Sequence, residues 1–207
     1  IVASIYGNYQ ELLSRNDAVD FDDLLFKTYV LLRDNDDIAA YYRERYVHLM
    51  IDEFQDTNTA QYAIARQLSS KHQNICVVGD PDQSIYSWRH ADIRNILSFQ
   101  RDFPKSKMLA LEQNYRSSQN ILHAAEAVIS ENSQRIERKL FTSRPTGSPI
   151  VVNCSEDQND EADWVFWQIT NLLESESEDF SLSDVAIMYR VNAQSRSLEE
   201  VCVRRGV

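Results

Sequence analysis

Asp52 and Glu53 stand side by side at the end of a short apolar run, Val47, Leu49, Met50 and Ile51. Adjacent acids at the mouth of a strand have a defined use in phosphate chemistry. One holds a magnesium ion, usually through water, and the other polarises a water that attacks a phosphate. Acids also follow strands as first-turn helix residues, where they complement the helix dipole, so the pair alone leaves both readings open. A second apolar run, Ile75 to Val78, ends in Gly79-Asp80-Pro81-Asp82-Gln83. Gly79 permits a tight turn, and the amide of Gln83 can contact a terminal phosphate or orient the attacking water.

Tyr86, Trp88 and Arg89 follow closely. Aromatics beside an arginine on a loop suit stacking on unpaired bases, each worth roughly 1–3 kcal/mol; they equally suit packing beneath the loop as core. If the loop is extended, alternation places both rings on one side. A third group is Glu112-Gln113-Asn114-Tyr115-Arg116. An arginine at a strand end can reach across a cleft to a phosphate, and Tyr115 can stack on a nucleotide base. The alternative is an ion pair between Arg116 and an acid of the following helix.

These groups need strands to carry them and helices to separate the strands. Apolar runs predict strands over 47–51, 74–80, 107–111, 150–154 and 184–189, the first of them buried on both faces. Helical spacing predicts helices over 1–15, 21–32 and 38–46. Asp20 is placed to cap the second, and Asp22 and Asp23 suit its N-terminal end. Asn58 and Gln61 form a capping-box pattern opening a helix whose apolar face is Ala60, Ala63, Ile64, Gln67 and Leu68. Further helices are expected from Ile93 to Phe99, after Ser117 or Ser118, over 161–173, and around Leu198, ending near Gly206. Arg135 to Pro149 and the Glu174–Asp179 run read as loop. Strands alternating with such helices imply an α/β fold with parallel βαβ units, and a boundary is expected between Phe103 and Lys107.

The 207 residues can bury one good core or two modest ones. No apolar run approaches the roughly 18 residues of a membrane span, and no signal-peptide pattern opens the chain at Ile1. Cys76, Cys154 and Cys202 are far apart and odd in number, which fits buried thiols of a reducing compartment rather than a disulfide or zinc framework. The four histidines show no metal-ligand spacing. A net charge of −11 means that any nucleic-acid contact must be local.

Taken together, the motifs resemble the UvrD/PcrA/Rep group of superfamily-one DNA helicases. The matching stretches are Ile51 to Asn58 (IDEFQDTN), Val78 to Arg89 (VGDPDQSIYSWR), Leu111 to Ser118 (LEQNYRSS) and Tyr189 to Arg196 (YRVNAQSR), with Asp20 to Leu24 (DFDDL). They run in order along essentially the whole chain. The resemblance implies parallel-sheet RecA-like motor domains of the P-loop NTPase type, incomplete here: residues 1–104 as the C-terminal part of the first, with the end of its inserted helical subdomain, and 105–207 as the N-terminal part of the second. It implies an ATP-driven motor moving 3′ to 5′ on single-stranded DNA and unwinding duplex at single-strand/duplex junctions, in DNA repair or replication. ATP and Mg2+ would be its ligands, and its place would be the cytoplasm, on the nucleoid, with no membrane partner.

By the same resemblance Asp52 holds magnesium, Glu53 is the general base, and Gln83 senses the terminal phosphate. Tyr115 stacks on adenine and Arg116 reaches the terminal phosphate. Tyr86 and Trp88 stack on bases with Arg89 beside them, and Arg190 and Asn192 contact the DNA backbone. No G-x-x-x-x-G-K-[ST] loop is present, so the chain alone is expected to turn over little or no ATP. Ser87 and His90 stand where the family often has other residues, frequently glycine at position 90. Two alternatives remain at this stage: the helicase part of a RecB/AddA-type helicase–nuclease subunit, and a non-catalytic nucleic-acid-binding remnant of the motor fold.

Overall fold

The computed structural model describes residues 1–133, 135–136, 138–175 and 181–206, the side chain of Ser175 excepted. The expected loop at Glu174–Asp179 falls outside these from residue 176 onward. The chain forms two compact units, Ile1–Gly147 and Ser148–Val207.

The first unit opens with three helices, α1 (Val2–Arg15), α2 (Phe21–Asp34) and α3 (Asp36–Arg45). Asp20 caps α2 as its side chain predicts, accepting from the Asp23 N–H at 2.7 Å. Strand β1 (Leu49–Ile51) leads to α4 (Thr59–Ser69), and strand β2 (Ile75–Val77) returns beside it. The two strands pair in parallel, Leu49 opposite Ile75 and Ile51 opposite Val77, which is the expected βαβ unit. The Asn58–Gln61 capping box closes with bonds of 2.9 and 2.8 Å.

The core lies on one side of this small sheet. Phe54 is fully buried among Tyr62, Phe99 and Phe103, with Ile51, Ile75, Val77 and Ile96 around them. Phe54 meets Tyr62 and Phe99 edge to face at 5.5 and 5.6 Å, the arrangement that the ring quadrupoles favour. Burial along each strand therefore alternates: Met50 is 80% exposed and Cys76 is exposed. The expectation of a strand buried on both faces is overturned, because the aromatic cluster covers only one. The buried face of α4 is Tyr62, Ala65 and Ser69, rotated from the predicted stripe because Tyr62 both packs on Phe54 and donates its hydroxyl to Asp102 at 2.7 Å.

Beyond β2 the expected helix around Ile93 to Phe99 is broken into α5 (Arg94–Leu97) and α6 (Phe99–Asp102), with Phe99 and Phe103 stacked at 4.7 Å. Helix α7 (Gln119–Ile129) follows Ser118, whose side chain makes no capping bond. The strands expected at 107–111, 150–154 and 184–189 do not form among the described residues. A strand exists only where its N–H and C=O groups meet a neighbouring strand, and these runs meet none among the described residues. What remains near the first is a single parallel bridge between Gln113 and Phe141.

In the second unit α8 (Gln158–Ser175) packs on α9 (Ser195–Arg205) through Ala162, Phe166 and Val201. Gly206 ends α9 at φ 74°, the left-handed cap that glycine adopts without a steric penalty. Cys154, like Cys76, is exposed, so the expectation of buried thiols is corrected for both. Among the described residues no helix is long and apolar enough to cross a membrane.

Candidate functional site

The two strand ends converge on one residue that sequence reasoning left without a role. Gln55 is 1% exposed, and its amide spans the gap between β1 and β2. Its Nε2 donates to Glu53 Oε2 at 2.7 Å, and its Oε1 accepts from the Asp80 N–H at 2.9 Å. Backbone bonds from Val78 to Ile51 and from Phe54 to Val78, at 2.8 and 2.9 Å, close the same corner. Gly79 is required there: a Cβ would lie 2.7 Å from Gln55 Oε1 and 3.1 Å from the Phe54 nitrogen. The available signal was a polar Gln55 directly after Phe54 and two residues from Glu53.

Glu53 itself adopts φ 48°, ψ 42°, a left-handed conformation uncommon for a side chain with a Cβ. It turns the chain sharply after β1 and leaves Asp52 and Glu53 exposed at the strand mouth. Asp52 Oδ1 accepts from the Glu53 N–H at 2.9 Å. On the second strand end, Asp80 Oδ1 accepts from the Asp82 N–H at 2.9 Å, and Asp80 Oδ2 accepts from Gln83 Nε2 at 2.6 Å. Glu53, Gln55, Asp80 and Gln83 thus form one continuous chain of hydrogen bonds. Asp56 lies at its edge, with Oδ1 buried and without a partner among the described residues. Burial, with repulsion from Glu53 second, raises its carboxyl above the ordinary range.

Magnesium favours oxygen ligands and keeps several waters, taking one or two carboxylates together with substrate phosphates. No cluster of three or more metal-binding side chains exists among the described residues. The exposed carboxylate of Asp52, held by one backbone N–H, fits a water-mediated hold of that kind.

The aromatic loop is stitched back onto the segment after β1. Asp92 N–H donates to Thr57 O at 3.0 Å, Asn95, buried, donates to the same carbonyl at 3.0 Å, and Ala91 bridges Asn58. The loop is not extended at the rings: Ser87–Arg89 forms a 3-10 turn. Tyr86 and Trp88 nevertheless sit together, centroids 6.3 Å apart, and Arg89 lies over both, 4.6 Å from the Trp88 ring. Trp88 is 65% exposed, which removes the core-plug alternative. His90 ends the turn at φ 66°, a conformation glycine takes most readily. Tyr86, Arg89, Asp56, Asn58 and Gln61 line a shallow depression of about 240 Å3.

Tyr115 and Arg116 are exposed. Tyr115 donates to Gln113 Oε1 at 2.8 Å, and the backbone of Arg116 is held by Asn114 Oδ1 at 2.9 Å. Helix α7 has no acid in its first turn, and the Arg116 guanidinium pairs with no described residue. In the second unit Arg190 and Asn192 are exposed beside a 3-10 turn that Gln194 fastens by accepting from the Arg190 N–H at 3.0 Å. The geometry joins Glu53 to Gln83 and groups Tyr86, Trp88 and Arg89; it does not bring Tyr115 or Arg116 into that bonded chain.

The family model for the UvrD/REP helicase N-terminal domain matches residues 1–104, and that for the UvrD-like helicase C-terminal domain matches residues 109–207. The chain belongs to the UvrD/Rep helicase family. UvrD/Rep relatives similar along its whole length include the ATP-dependent DNA helicase UvrD1 of Mycobacterium tuberculosis, 46% identical. The ATP-dependent DNA helicases PcrA of Staphylococcus epidermidis and Staphylococcus aureus are 44% and 45% identical. The chain covers 27% of UvrD1 and 28% of each PcrA.

Proposed function

We propose that this chain is the central part of an ATP-dependent DNA helicase, coupling ATP hydrolysis to 3′-to-5′ movement on single-stranded DNA and to duplex unwinding at single-strand/duplex junctions. Residues 1–104 would belong to its first motor domain and 105–207 to its second. The observation that carries the reading is the bonded chain from Glu53 through Gln55 and Asp80 to Gln83, which ties the candidate base to the candidate phosphate reader across two parallel strand ends.

In the proposed step, Glu53 accepts a proton from a water as that water's oxygen bonds to the terminal phosphorus of ATP, and the bond from that phosphorus to the leaving ADP oxygen breaks. Gln83, its amide nitrogen held by Asp80, presents its oxygen to orient the water. Asp52 would hold Mg2+, whose charge when bound offsets that of the phosphates. Arg116, free of any ion pair with a described residue, would reach the terminal phosphate, and Tyr115 would stack on the adenine. Tyr86 and Trp88, with Arg89 over their rings, would stack on bases of the single strand, and Arg190 and Asn192 would touch its backbone. Stacking needs no net positive charge, so it suits a chain of net charge −11.

The test uses the full-length protein. ATP turnover is measured with and without single-stranded DNA, and unwinding on duplexes with 3′ and 5′ tails. DNA-stimulated turnover with unwinding of the 3′-tailed duplex is expected. Turnover indifferent to DNA, or no unwinding of either duplex, contradicts the proposal.

A further inference from the structure

The Asp80-Pro81-Asp82 turn makes a second set of contacts that the hydrolysis scheme does not use. Asp80 Oδ2, the atom that accepts the Gln83 amide at 2.6 Å, also lies 2.5 Å from Nη2 of Arg138. The same guanidinium is 3.4 Å from Asp82 Oδ2. Arg135 reaches that oxygen too, at 3.3 Å, and meets Glu126 of α7 at 3.2 Å. The side chains of Asp82, Arg135, Asp80 and Arg138 are 9, 15, 19 and 20% exposed, so water screens this cluster little.

Two physical consequences follow. Asp80 and Asp82 place two negative charges on the turn that must approach a polyphosphate, and the guanidinium groups offset them. Arginine suits this place, since it stays charged and its planar fork can serve two carboxylates at once. The cluster also fixes direction. With its Nε2 held by a carboxylate that is itself held, the Gln83 amide has one orientation, and its oxygen is the end left for a water or a phosphate. Among the described residues, Arg135 Nε and Asp82 Oδ1 are buried without a hydrogen-bond partner. The network is therefore unsaturated, and the loss of one member is felt by the others. Arg135 and Arg138 lie beyond α7, on the stretch of chain that follows Tyr115 and Arg116.

We propose that Arg138, assisted by Arg135, is a positioning residue for ATP hydrolysis. It fixes the carboxylate of Asp80, which fixes the amide of Gln83, and so ties the phosphate-reading glutamine to the segment that follows Arg116. The proposal rests on the reading of Gln83 given above.

The experiment is a double-mutant cycle in the full-length protein, with steady-state ATP turnover at saturating single-stranded DNA and thermal melting of each variant. Arg138→Ala is expected to lower kcat about tenfold with KM for ATP within about twofold, the pattern of a lost transition-state interaction. Arg138→Lys should recover part of that loss. If Arg138 acts through Gln83, the Gln83→Ala/Arg138→Ala double variant should be no more than about twofold slower than Gln83→Ala alone, because residues in one network are non-additive. Should Arg138→Ala not fold, Asp80→Asn carries the same cycle. Penalties that multiply in the double variant, or a kcat for Arg138→Ala within about twofold of the parent, overturn the proposal. A parental rate for Gln83→Ala would instead sink the underlying reading of Gln83, so the two failures are told apart.

Discussion

Gln55 donates its side-chain amide to Glu53 Oε2 at 2.7 Å and accepts the Asp80 N–H at 2.9 Å. A fully buried amide thereby holds the candidate base on one strand end and the turn of the other at a fixed separation. Gly79 leaves room for it, and the Phe54 ring behind it anchors the corner in the core.

Gln55→Ala should be costly twice over. It leaves the Asp80 N–H without its acceptor and opens a void, for which a loss of about 1–3 kcal/mol of stability is expected. Turnover should fall as well, because Glu53 loses its orienting donor. Gln55→Glu keeps the volume but sets a second carboxylate against Glu53. Its turnover should fall although most of its core packing is kept. Melting and steady-state turnover on the two variants separate the effects, and parental turnover in both would remove Gln55 from the catalytic corner.

The pH dependence of stability has a local source in Asp56. Burial and the nearby Glu53 raise its carboxyl above the ordinary value of 3.8. Between 3.8 and the raised folded value the folded state binds more proton than the unfolded one, so stability falls as pH rises through that window. Above it the penalty is constant. Asp56→Asn should therefore raise the melting temperature at neutral pH, and the gain should vanish below the ordinary value. A gain that persists unchanged in acid would show that charge is not its cause.

Much of the first unit was legible because its signals are local. The Asp20 cap and the Asn58–Gln61 box follow from side chains three residues apart, and the parallel pair was expected from two apolar runs separated by a helical pattern. The second βα series was not legible: 107–111, 150–154 and 184–189 carry strand-like apolar runs, but a ladder is a long-range fact that no run contains. Met50 and Cys76 were misread for the same reason, since covering a second face depends on elements that the run does not name. Of the candidate site residues, Glu53 and Gln83 were singled out from their positions at strand ends. Gln55 was missed because its importance lies in bridging two segments 25 residues apart.

The exposed aromatic pair gives a clean separation of binding from folding. Trp88 is 65% exposed and held over by Arg89. In the full-length protein, Trp88→Ala should weaken single-strand affinity by roughly 1–3 kcal/mol and blunt DNA-stimulated ATP turnover. Melting should hardly move, in contrast to the roughly 3–5 kcal/mol that a buried tryptophan would cost. Unchanged affinity with a large drop in melting would contradict the stacking role.

One isosteric change tests whether Glu53 is the base of an ATP-hydrolysing motor. In the full-length protein, Glu53→Gln retains the shape of the strand end but cannot accept a proton from water. The measurement is steady-state ATP turnover at saturating single-stranded DNA, with Mg-ATP and DNA affinities determined on the same preparation. Turnover lower by roughly 10²-fold or more is expected, with both affinities preserved; turnover within a few-fold of the parent would show that Glu53 is not the base.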